Sequence, residues 1–271
     1  MKKYILLAVL FSFLSFGFGD NPEDKYAGVD RIKSENLLAT VRFLSSAELA
    51  GRLGGSEGYY KAADFIANEF KLLGLKPMGD AGYFQNFTVE YNDITGPCNF
   101  GLADESGVVK MYALGSDYVC RGFTGSGKFT AEVVFAGYGF SYPELSFDEY
   151  DGLDVKGKIV MMFKQVPSWK IGEQRWNESL RYRAGIAFKK GALGIVFVSK
   201  PNDKNPQKPI GSVMDGEGEQ IENFPMIHAD ITAANEILSS SKNSLKDLQT
   251  AIDDTEKPSS FALSQKVFLE V

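Results

Sequence analysis

Apolar residues recur at helical spacing in two segments near the start of the chain. Ser34 is suited to cap a first helix. The apolar positions that follow it share one helical face: Leu37, Leu38, Val41 and Leu44. A second helix is predicted to begin after Ser56 and to end at Gly74, where glycine often closes a helix. The pattern thus predicts two amphipathic helices in the first quarter of the chain.

From about Asn92 onward, short apolar stretches alternate with glycine and polar turns, which is typical of strands. Strands are predicted at residues 83–91, 131–138, 158–163, 193–198, 224–229 and 261–271. Helices are predicted at residues 181–190, 232–238 and 245–252. The last strand reaches Val271 without a turn signal, and residues 83–91 are its best apolar match. We therefore expect these two strands to pair, with the region between them inserted into an outer domain whose sheet is interrupted at Val271.

Composition excludes several classes of protein. The chain has 271 residues, of which 44% are apolar and 24% charged, so collagen-like, disordered and disulfide-dense chains are excluded. The net charge is −6 and no basic block occurs, which argues against nucleic-acid and anionic-membrane partners. His228 is the single histidine, so no site built from two histidines can form within this chain. We therefore assign no catalytic residue and no metal ligand.

The first nineteen residues have the three parts of a secretory signal peptide. Lys2 and Lys3 precede an apolar run at residues 4–18, and Gly17 and Gly19 supply the small residues that a signal peptidase requires. The alternative is a buried N-terminal helix. The run is shorter than a membrane span, and no cysteine follows it to carry a lipid. The expectation is export to a periplasmic or extracellular location after cleavage near Gly19, without a membrane anchor.

Cys98 and Cys120 are the two cysteines of the chain, and both lie in turn-like surroundings. In an exported protein they could form a disulfide. The alternative is a pair of reduced, partly buried thiols, and the sequence does not decide between the two states. Catalysis by either thiol is not expected, because His228 lies far along the chain.

Eight short motifs occur in a characteristic order. The first four cover residues 44–52 (Leu-Ser-Ser-Ala-Glu-Leu-Ala-Gly-Arg), 54–58 (Gly-Gly-Ser-Glu-Gly), 74–77 (Gly-Leu-Lys-Pro) and 83–87 (Tyr-Phe-Gln-Asn-Phe). This series resembles the N-terminal part of the di-zinc aminopeptidases. That family includes bacterial leucyl-type aminopeptidases, glutamate carboxypeptidase and the transferrin receptor.

The next four motifs resemble the protease-associated (PA) domain that many members of the family carry as an insertion. They cover residues 135–139 (Phe-Ala-Gly-Tyr-Gly), 150–160, 189–197 and 224–227. The resemblance implies an α/β fold, in which the helical flank and a strand of a peptidase domain carry an inserted β-rich PA domain. The division it implies is a signal peptide at 1–19, peptidase segment at 20–93, PA domain at 94–258 and resumed peptidase domain at 259–271.

The family's metal ligands and general-base glutamate lie after the inserted domain, beginning with a His-x-Asp element, and this chain stops before that point. The resemblance therefore implies zinc and peptide hydrolysis only in a longer parent protein, with a peptide or protein substrate and the missing catalytic half as partners. This chain alone is expected to be inactive and without a cofactor. The alternative is a stand-alone secreted PA-domain module that binds peptides or proteins without catalysis.

Other groups of residues each have a functional and a structural interpretation. Three carboxylates at Asp215, Glu217 and Glu219 could hold calcium, but a solvated acidic loop is favoured. The carboxylates at 148, 149, 151 and 154 could do acid–base work, and again the solvated interpretation is favoured. His228 is expected to be structural or on the surface.

Aromatic residues form one more candidate group. Trp169 and Trp176, with Tyr150 and Tyr182 nearby in sequence, could line a peptide-binding surface. Ordinary core packing is the favoured interpretation of these side chains.

Overall fold

The computed structural model describes residues 28–29, 32–89, 94–211 and 220–271. The chain divides into an N-terminal unit, Met1–Phe87, and a C-terminal unit, Thr88–Val271. The predicted signal peptide lies outside the described residues. Within the described ranges, no helix has the length and apolar character needed to cross a membrane.

The N-terminal unit contains the two predicted helices, α1 at Ser34–Leu44 and α2 at Glu57–Leu72, with a 3-10 segment at Ala47–Arg52 between them. Ser56 caps α2, because its hydroxyl oxygen accepts a hydrogen bond from the Tyr59 N–H at 3.2 Å. Gly58 lies in the first turn of α2 against the 3-10 segment. A Cβ atom at this position would lie 2.0 Å from the Leu49 carbonyl oxygen, so the close approach requires glycine.

The predicted strand at residues 83–91 is wrong. Residues 85–89 form no regular structure, and residues 90–91 lie outside the described part. Just before them the backbone turns back on itself, with isolated bridges from Gly79 to Gly82 and from Ala81 to Phe84. The alternating apolar pattern therefore does not form a strand in the described part of this segment.

The C-terminal unit is built on an eight-stranded sheet with the order β2-β1-β10-β4-β7-β8-β9-β3. The strands are β1 Asn99–Asp104, β2 Gly107–Met111, β3 Tyr118–Cys120, β4 Lys128–Phe135, β5 Ser141–Tyr142, β6 Phe147–Asp148, β7 Ile159–Phe163, β8 Gly194–Val198, β9 Met226–Ala229 and β10 Phe261–Glu270. β5 and β6 form a separate two-stranded sheet. In the eight-stranded sheet the pairs β4–β7, β7–β8 and β8–β9 are parallel. The remaining pairs are antiparallel.

The last strand, β10, lies in the middle of this sheet. Val267 pairs with Leu102 of β1 on one side and with Ala131 of β4 on the other. The expected pairing of residues 261–271 with residues 83–91 is therefore wrong. β10 covers most of residues 259–271, the segment that the family resemblance assigned to a resumed peptidase domain. The apolar pattern correctly predicted a buried strand, but it did not determine which strands flank it.

Helices cover both faces of the sheet. They are α3 Leu180–Lys189, α4 Ile231–Ile237 and α5 Leu245–Thr255, with 3-10 segments at Pro143–Leu145 and Leu238–Ser241. Alternate residues of each central strand face opposite layers. Val133 packs in the layer that contains α4 and α5, whereas Val134 packs in the layer that contains α3. The predicted α/β fold class is confirmed. The predicted central strands and three helices are also confirmed, with ends shifted by up to a few residues.

The start of α5 provides a test of this description. The Ser244 hydroxyl oxygen accepts from the Asp247 N–H at 3.2 Å, and the Asp247 carboxylate accepts from the Ser244 N–H at 3.3 Å, which is a capping box. We predict that Ser244→Ala lowers the free energy of unfolding by about 1 kcal/mol in urea titrations. Ser239→Ala, at an exposed position, is the control and should change it by less than about 0.5 kcal/mol. Equal effects of the two variants would contradict the assigned cap.

Candidate functional site

A buried carboxylate organises the turn that leaves β4. Glu149 is 0% exposed, and its two carboxylate oxygens accept hydrogen bonds from the backbone N–H groups of Tyr138 at 2.7 Å and Phe140 at 2.9 Å. In the same turn, the Gly139 N–H donates to the Ala136 carbonyl at 2.7 Å. The Phe-Ala-Gly-Tyr-Gly motif, at residues 135–139, therefore forms part of a turn whose backbone binds the Glu149 carboxyl group.

Arg183 of α3 binds the other side of this turn. Its Nη1 donates to the carbonyl oxygens of Tyr138 at 2.9 Å and Phe163 at 2.8 Å, and its Nη2 donates to the Lys164 carbonyl. The guanidinium also lies over the Phe140 ring, 5.2 Å from its centroid. Tyr138 is thus bound at its backbone N–H by the Glu149 carboxyl group and at its backbone carbonyl by the Arg183 guanidinium. This arrangement ties the exits of β4 and β7 to α3.

The solvated interpretation of the acidic loop is wrong for Glu149, since this carboxyl is fully buried. Burial raises the pKa of Glu149 to about 8, although the two backbone N–H bonds and the charge of Arg183 act in the opposite direction. Asp151 and Asp154 are exposed and Asp148 is half-buried, so they do not form a pair of buried acids with Glu149. The loop therefore carries one structural carboxyl rather than a glycosidase-type pair.

Two functional side chains of this network were missed from the sequence. Glu149 was placed in a solvated cluster, and Arg183 was not singled out. The Gly-Tyr-Gly turn, followed about ten residues later by a glutamate directly before Tyr150, is the signal that could have identified the first. A lone arginine on the face of a helix that packs against a sheet could have indicated the second.

His228 is fully buried at the end of β9 rather than on the surface. Its Nδ1 accepts a hydrogen bond from the Ile210 N–H at 3.3 Å, so the ring proton belongs on Nε2, which lies 2.9 Å from the Ser199 hydroxyl. In this tautomer Nε2 donates to the serine and cannot remove its proton. The buried Ser199–His228 pair therefore holds the loop after β8 and is not a nucleophile with its base.

Positive groups surround this imidazole. Burial first, and then the charges of Lys164 and Arg121, lower the pKa of His228 to about 3. Burial, together with Arg121, also lowers the pKa of Lys164 to about 8. His228 is therefore neutral near pH 7, which agrees with its acceptor role toward Ile210. The structural role predicted for this histidine agrees with these contacts.

The aromatic residues pack against one another. Trp176 is buried, with its ring centroid 4.6 Å from that of Phe140 and 4.8 Å from that of Trp169. Its indole N–H donates to the Trp169 carbonyl at 2.7 Å. Tyr150 is buried in the opposite layer, whereas Tyr182 is 39% exposed. Trp176 and Tyr150 are therefore core residues. The four aromatic side chains at positions 150, 169, 176 and 182 do not line one common surface.

The structure joins Cys98 and Cys120 through a disulfide with an S–S distance of 2.22 Å. The Tyr118 hydroxyl reinforces this link by donating to the Cys98 carbonyl at 2.6 Å. The linked segments border a cleft of about 610 Å³ in the C-terminal unit. Its described lining includes Pro97, Leu114, Val119, Thr124 and Val271.

The residues present do not fit a zinc site. In the described ranges, no group of three or more His, Cys, Asp or Glu side chains is placed to hold a metal ion. Both nitrogens of His228 are already engaged, and both cysteines are joined to each other. The acidic residues Asp215, Glu217 and Glu219 lie outside the described residues, so the solvated loop favoured there stays a prediction and the calcium alternative stays untested.

Solved structures of aminopeptidases are similar to this chain. An aminopeptidase from Aneurinibacillus sp. strain AM-1 is similar over 91% of this chain, with 16% identity and a TM-score of 0.52. The chain shares the fold of that structure. It spans 45% of that structure's length. No family model and no curated protein matches the chain.

Two further structures are less similar. A zinc aminopeptidase from Bacillus subtilis is similar over 88% of this chain and 43% of its own length, at 15% identity and a TM-score of 0.40. A peptidase M28 precursor from Shewanella amazonensis SB2B is similar over 86% of this chain and 48% of its own length, at 16% identity and a TM-score of 0.40. At these TM-scores neither structure adds weight to the assignment of the fold.

Gly137 provides a test of the carboxylate-binding turn. A Cβ atom there would lie 1.8 Å from the Glu149 Oε1, at a backbone φ of +48°. Gly152 is a matched control, because it also has a positive φ of +67° but nothing within 4 Å of its ideal Cβ. We predict that Gly152→Ala costs about 1 kcal/mol of unfolding free energy through backbone strain. Gly137→Ala should cost clearly more in the same urea titration, and equal costs would contradict the packing described here.

His228 gives a prediction for acid stability. Its folded pKa lies below the value of 6.5 expected in the unfolded chain, so the unfolded chain binds the proton more tightly. The stability due to neutral His228 is present above about pH 6.5 and is lost as the pH falls toward 3, by about 1.4 kcal/mol per pH unit. Urea unfolding at pH 7 and pH 5 should show a steeper loss for the wild type than for His228→Gln. Parallel losses would contradict the burial of a neutral imidazole.

Proposed function

We propose that this chain is the N-terminal and PA-domain portion of a secreted zinc-dependent aminopeptidase-like protein. In this proposal the parent protein hydrolyses N-terminal peptide bonds, and polypeptide outside this chain supplies the zinc ligands. In this proposal the C-terminal unit contains the PA domain, predicted over residues 94–258, and the N-terminal unit is the helical flank of the peptidase domain. The likeness in fold to an aminopeptidase of about twice the length supports this proposal.

The observation that carries the proposal is the lack of a core in the N-terminal unit. Among its described residues, Leu49, Gly58 and Ala62 are the buried ones. The apolar side chains of α1, which share one helical face, remain open to solvent: Leu37 is 57% exposed, Leu38 52% and Val41 59%. A folded helix pair normally buries such a face.

The free energy gained by burying these apolar side chains favours a further layer of polypeptide that covers them. Burying one leucine or valine side chain contributes about 1.5–3 kcal/mol. The exposed apolar residues of the unit continue through α2 and beyond it: Ile66, Phe70, Leu72, Leu73, Leu75, Met78, Phe84 and Phe87. An apolar surface of this extent is typical of an element that packs against further polypeptide. The C-terminal unit, in contrast, has a core of its own.

The first experiment measures zinc and turnover. Residues 20–271 and the product obtained by reading the gene beyond the Val271 codon are purified, and both are assayed on aminoacyl substrates and for bound zinc. We expect neither turnover nor stoichiometric zinc in residues 20–271, and both, removed by a chelator, in the longer product. Turnover with two bound zinc ions in residues 20–271 would contradict the proposal.

A second experiment tests the covering layer directly. Leu38→Asp places a charge on the apolar face of α1, whereas Asn36→Asp places the same charge about 200° around the helix on an exposed polar position. In residues 20–271 both variants should change the melting temperature little. In the longer product, Leu38→Asp should lower it strongly and Asn36→Asp should not. If Leu38→Asp is as mild as its control in the longer product, the face is not covered there.

The alternative is a secreted binding module without catalysis, and the self-contained core of the C-terminal unit favours it. The cleft beside the Cys98–Cys120 link has a volume in the range of small-ligand and side-chain pockets. This alternative predicts a gene without a His-x-Asp-encoding continuation and a soluble chain that binds peptides but no zinc. The zinc and turnover assays above separate the two proposals.

A further inference from the structure

The Cys98–Cys120 disulfide joins the two ends of the eight-stranded sheet. Cys98 directly precedes β1, the second strand from one edge, whereas Cys120 ends β3, the strand at the opposite edge. The centroid of the Tyr118 ring in β3 lies 5.5 Å from that of the Phe100 ring in β1. The sheet therefore curls until β1 and β3 come into contact, and the disulfide crosses the seam between them.

The cleft of about 610 Å³ lies at this seam. Its lining combines residues 94–97, which lead into Cys98, with residues 119–122, which include Cys120. Cys120 is itself a lining residue although it is only 5% exposed, and Cys98 is half-buried. A small thiol reagent that enters the cleft therefore reaches the disulfide bond.

The sheet holds the β3 side of the cleft in place. The Arg121 N–H donates to the Met226 carbonyl at 3.0 Å, and the Met226 N–H donates to the Thr124 hydroxyl oxygen at 2.7 Å. The Thr124 N–H in turn donates to the Arg121 carbonyl at 3.0 Å. These hydrogen bonds tie the segment to β9, and none of them depends on the disulfide.

Residues 95–97, on the other side, have no comparable support. They are exposed, they precede Asn99, where the pairing of β1 with β10 begins, and they make no hydrogen bond within the part of the chain that the structure describes. The adjacent Cys98 is tied across the seam by the disulfide and by the Tyr118 hydroxyl, which donates to the Cys98 carbonyl at 2.6 Å. The disulfide is the stronger of these two ties, because it is covalent.

We propose that the Cys98–Cys120 disulfide is a redox-sensitive clasp, which fixes residues 95–97 as one wall of the cleft and releases this wall when a dithiol reduces the bond. One thiolate of the dithiol attacks a sulfur of the disulfide, and its second thiol then displaces the mixed disulfide. The protein gains two electrons and two protons as two thiols, and the dithiol becomes a disulfide. The paired strands keep their hydrogen bonds. This device lies in the C-terminal unit and does not depend on the proposed peptidase function.

NMR relaxation of the whole chain tests the clasp. Backbone amide order parameters are measured before and after reduction with dithiothreitol, and alkylation followed by mass spectrometry verifies the two thiols. We expect the order parameters of Thr95 and Gly96 to fall from about 0.85 to below about 0.6, while those of Arg121 and Val196 stay unchanged. Unchanged order at Thr95 and Gly96 in the reduced chain would overturn the proposal. Loss of order at Val196 would also overturn it, because the bond would then support the whole sheet.

A variant without the bond separates the disulfide from other effects of the reductant. The double variant Cys98→Ser, Cys120→Ser keeps side chains of similar size but cannot form the link. Its Thr95 and Gly96 amides should show the low order of the reduced chain before any reductant is added, and dithiothreitol should not change them further. High order at Thr95 and Gly96 in this variant, or a response to dithiothreitol that persists, would overturn the proposal.

Two tyrosine variants test whether the disulfide or the hydrogen bond beside it restrains the wall. Tyr118→Phe removes the hydroxyl that reaches the Cys98 carbonyl, and Tyr112→Phe is the matched control, since its ring also packs on Phe100 but its hydroxyl donates to Glu236. In the oxidised chain neither variant should lower the order of residues 95–97. If Tyr118→Phe lowers it in the oxidised chain as much as reduction does, the hydrogen bond is the restraint and the proposal fails.

Discussion

Burial of apolar surface divides this molecule into two unequal parts. In the C-terminal unit, a long central strand and three helices bury both faces of a sheet. In the N-terminal unit, two well-formed helices leave their apolar faces open. Helices of this length are marginal on propensity alone and gain most of their stability from packing. The proposed function depends on this contrast, because the described residues of the C-terminal unit form a core of their own and those of the N-terminal unit do not.

The buried polar residues of the C-terminal unit have a structural role. Glu149 and Arg183 bind the backbone N–H and the backbone carbonyl of one residue, Tyr138, and His228 binds the loop that follows β8 through Ile210. Each of these groups replaces a backbone partner that a loop at the end of a parallel strand would otherwise lack. The buried polar residues thus hold loops in place. Within the described residues they do not form a metal site or a nucleophile with its base.

The sequence predicted local structure better than long-range pairing. The helix after Ser56 and the buried strand at Gly194–Val198 were found because capping and apolar periodicity are local signals. The neighbours of β10 were missed, since an apolar strand pairs equally well on pattern with several partners. Glu149 was missed because one buried carboxyl looks the same in sequence as its solvated neighbours. Its burial follows from a turn that forms only when β4, β7 and α3 come together.

The central claim is that, among the described residues, α1 and α2 lack the packing that would stabilise them. The most direct measurement is amide hydrogen exchange of residues 20–271, comparing α1 and α2 with the buried strands β7 and β8. The account predicts protection in the helices that is lower than in the strands by orders of magnitude. Protection of α1 and α2 equal to that of β7 and β8 would contradict it, because the helices would then be stable without any covering polypeptide.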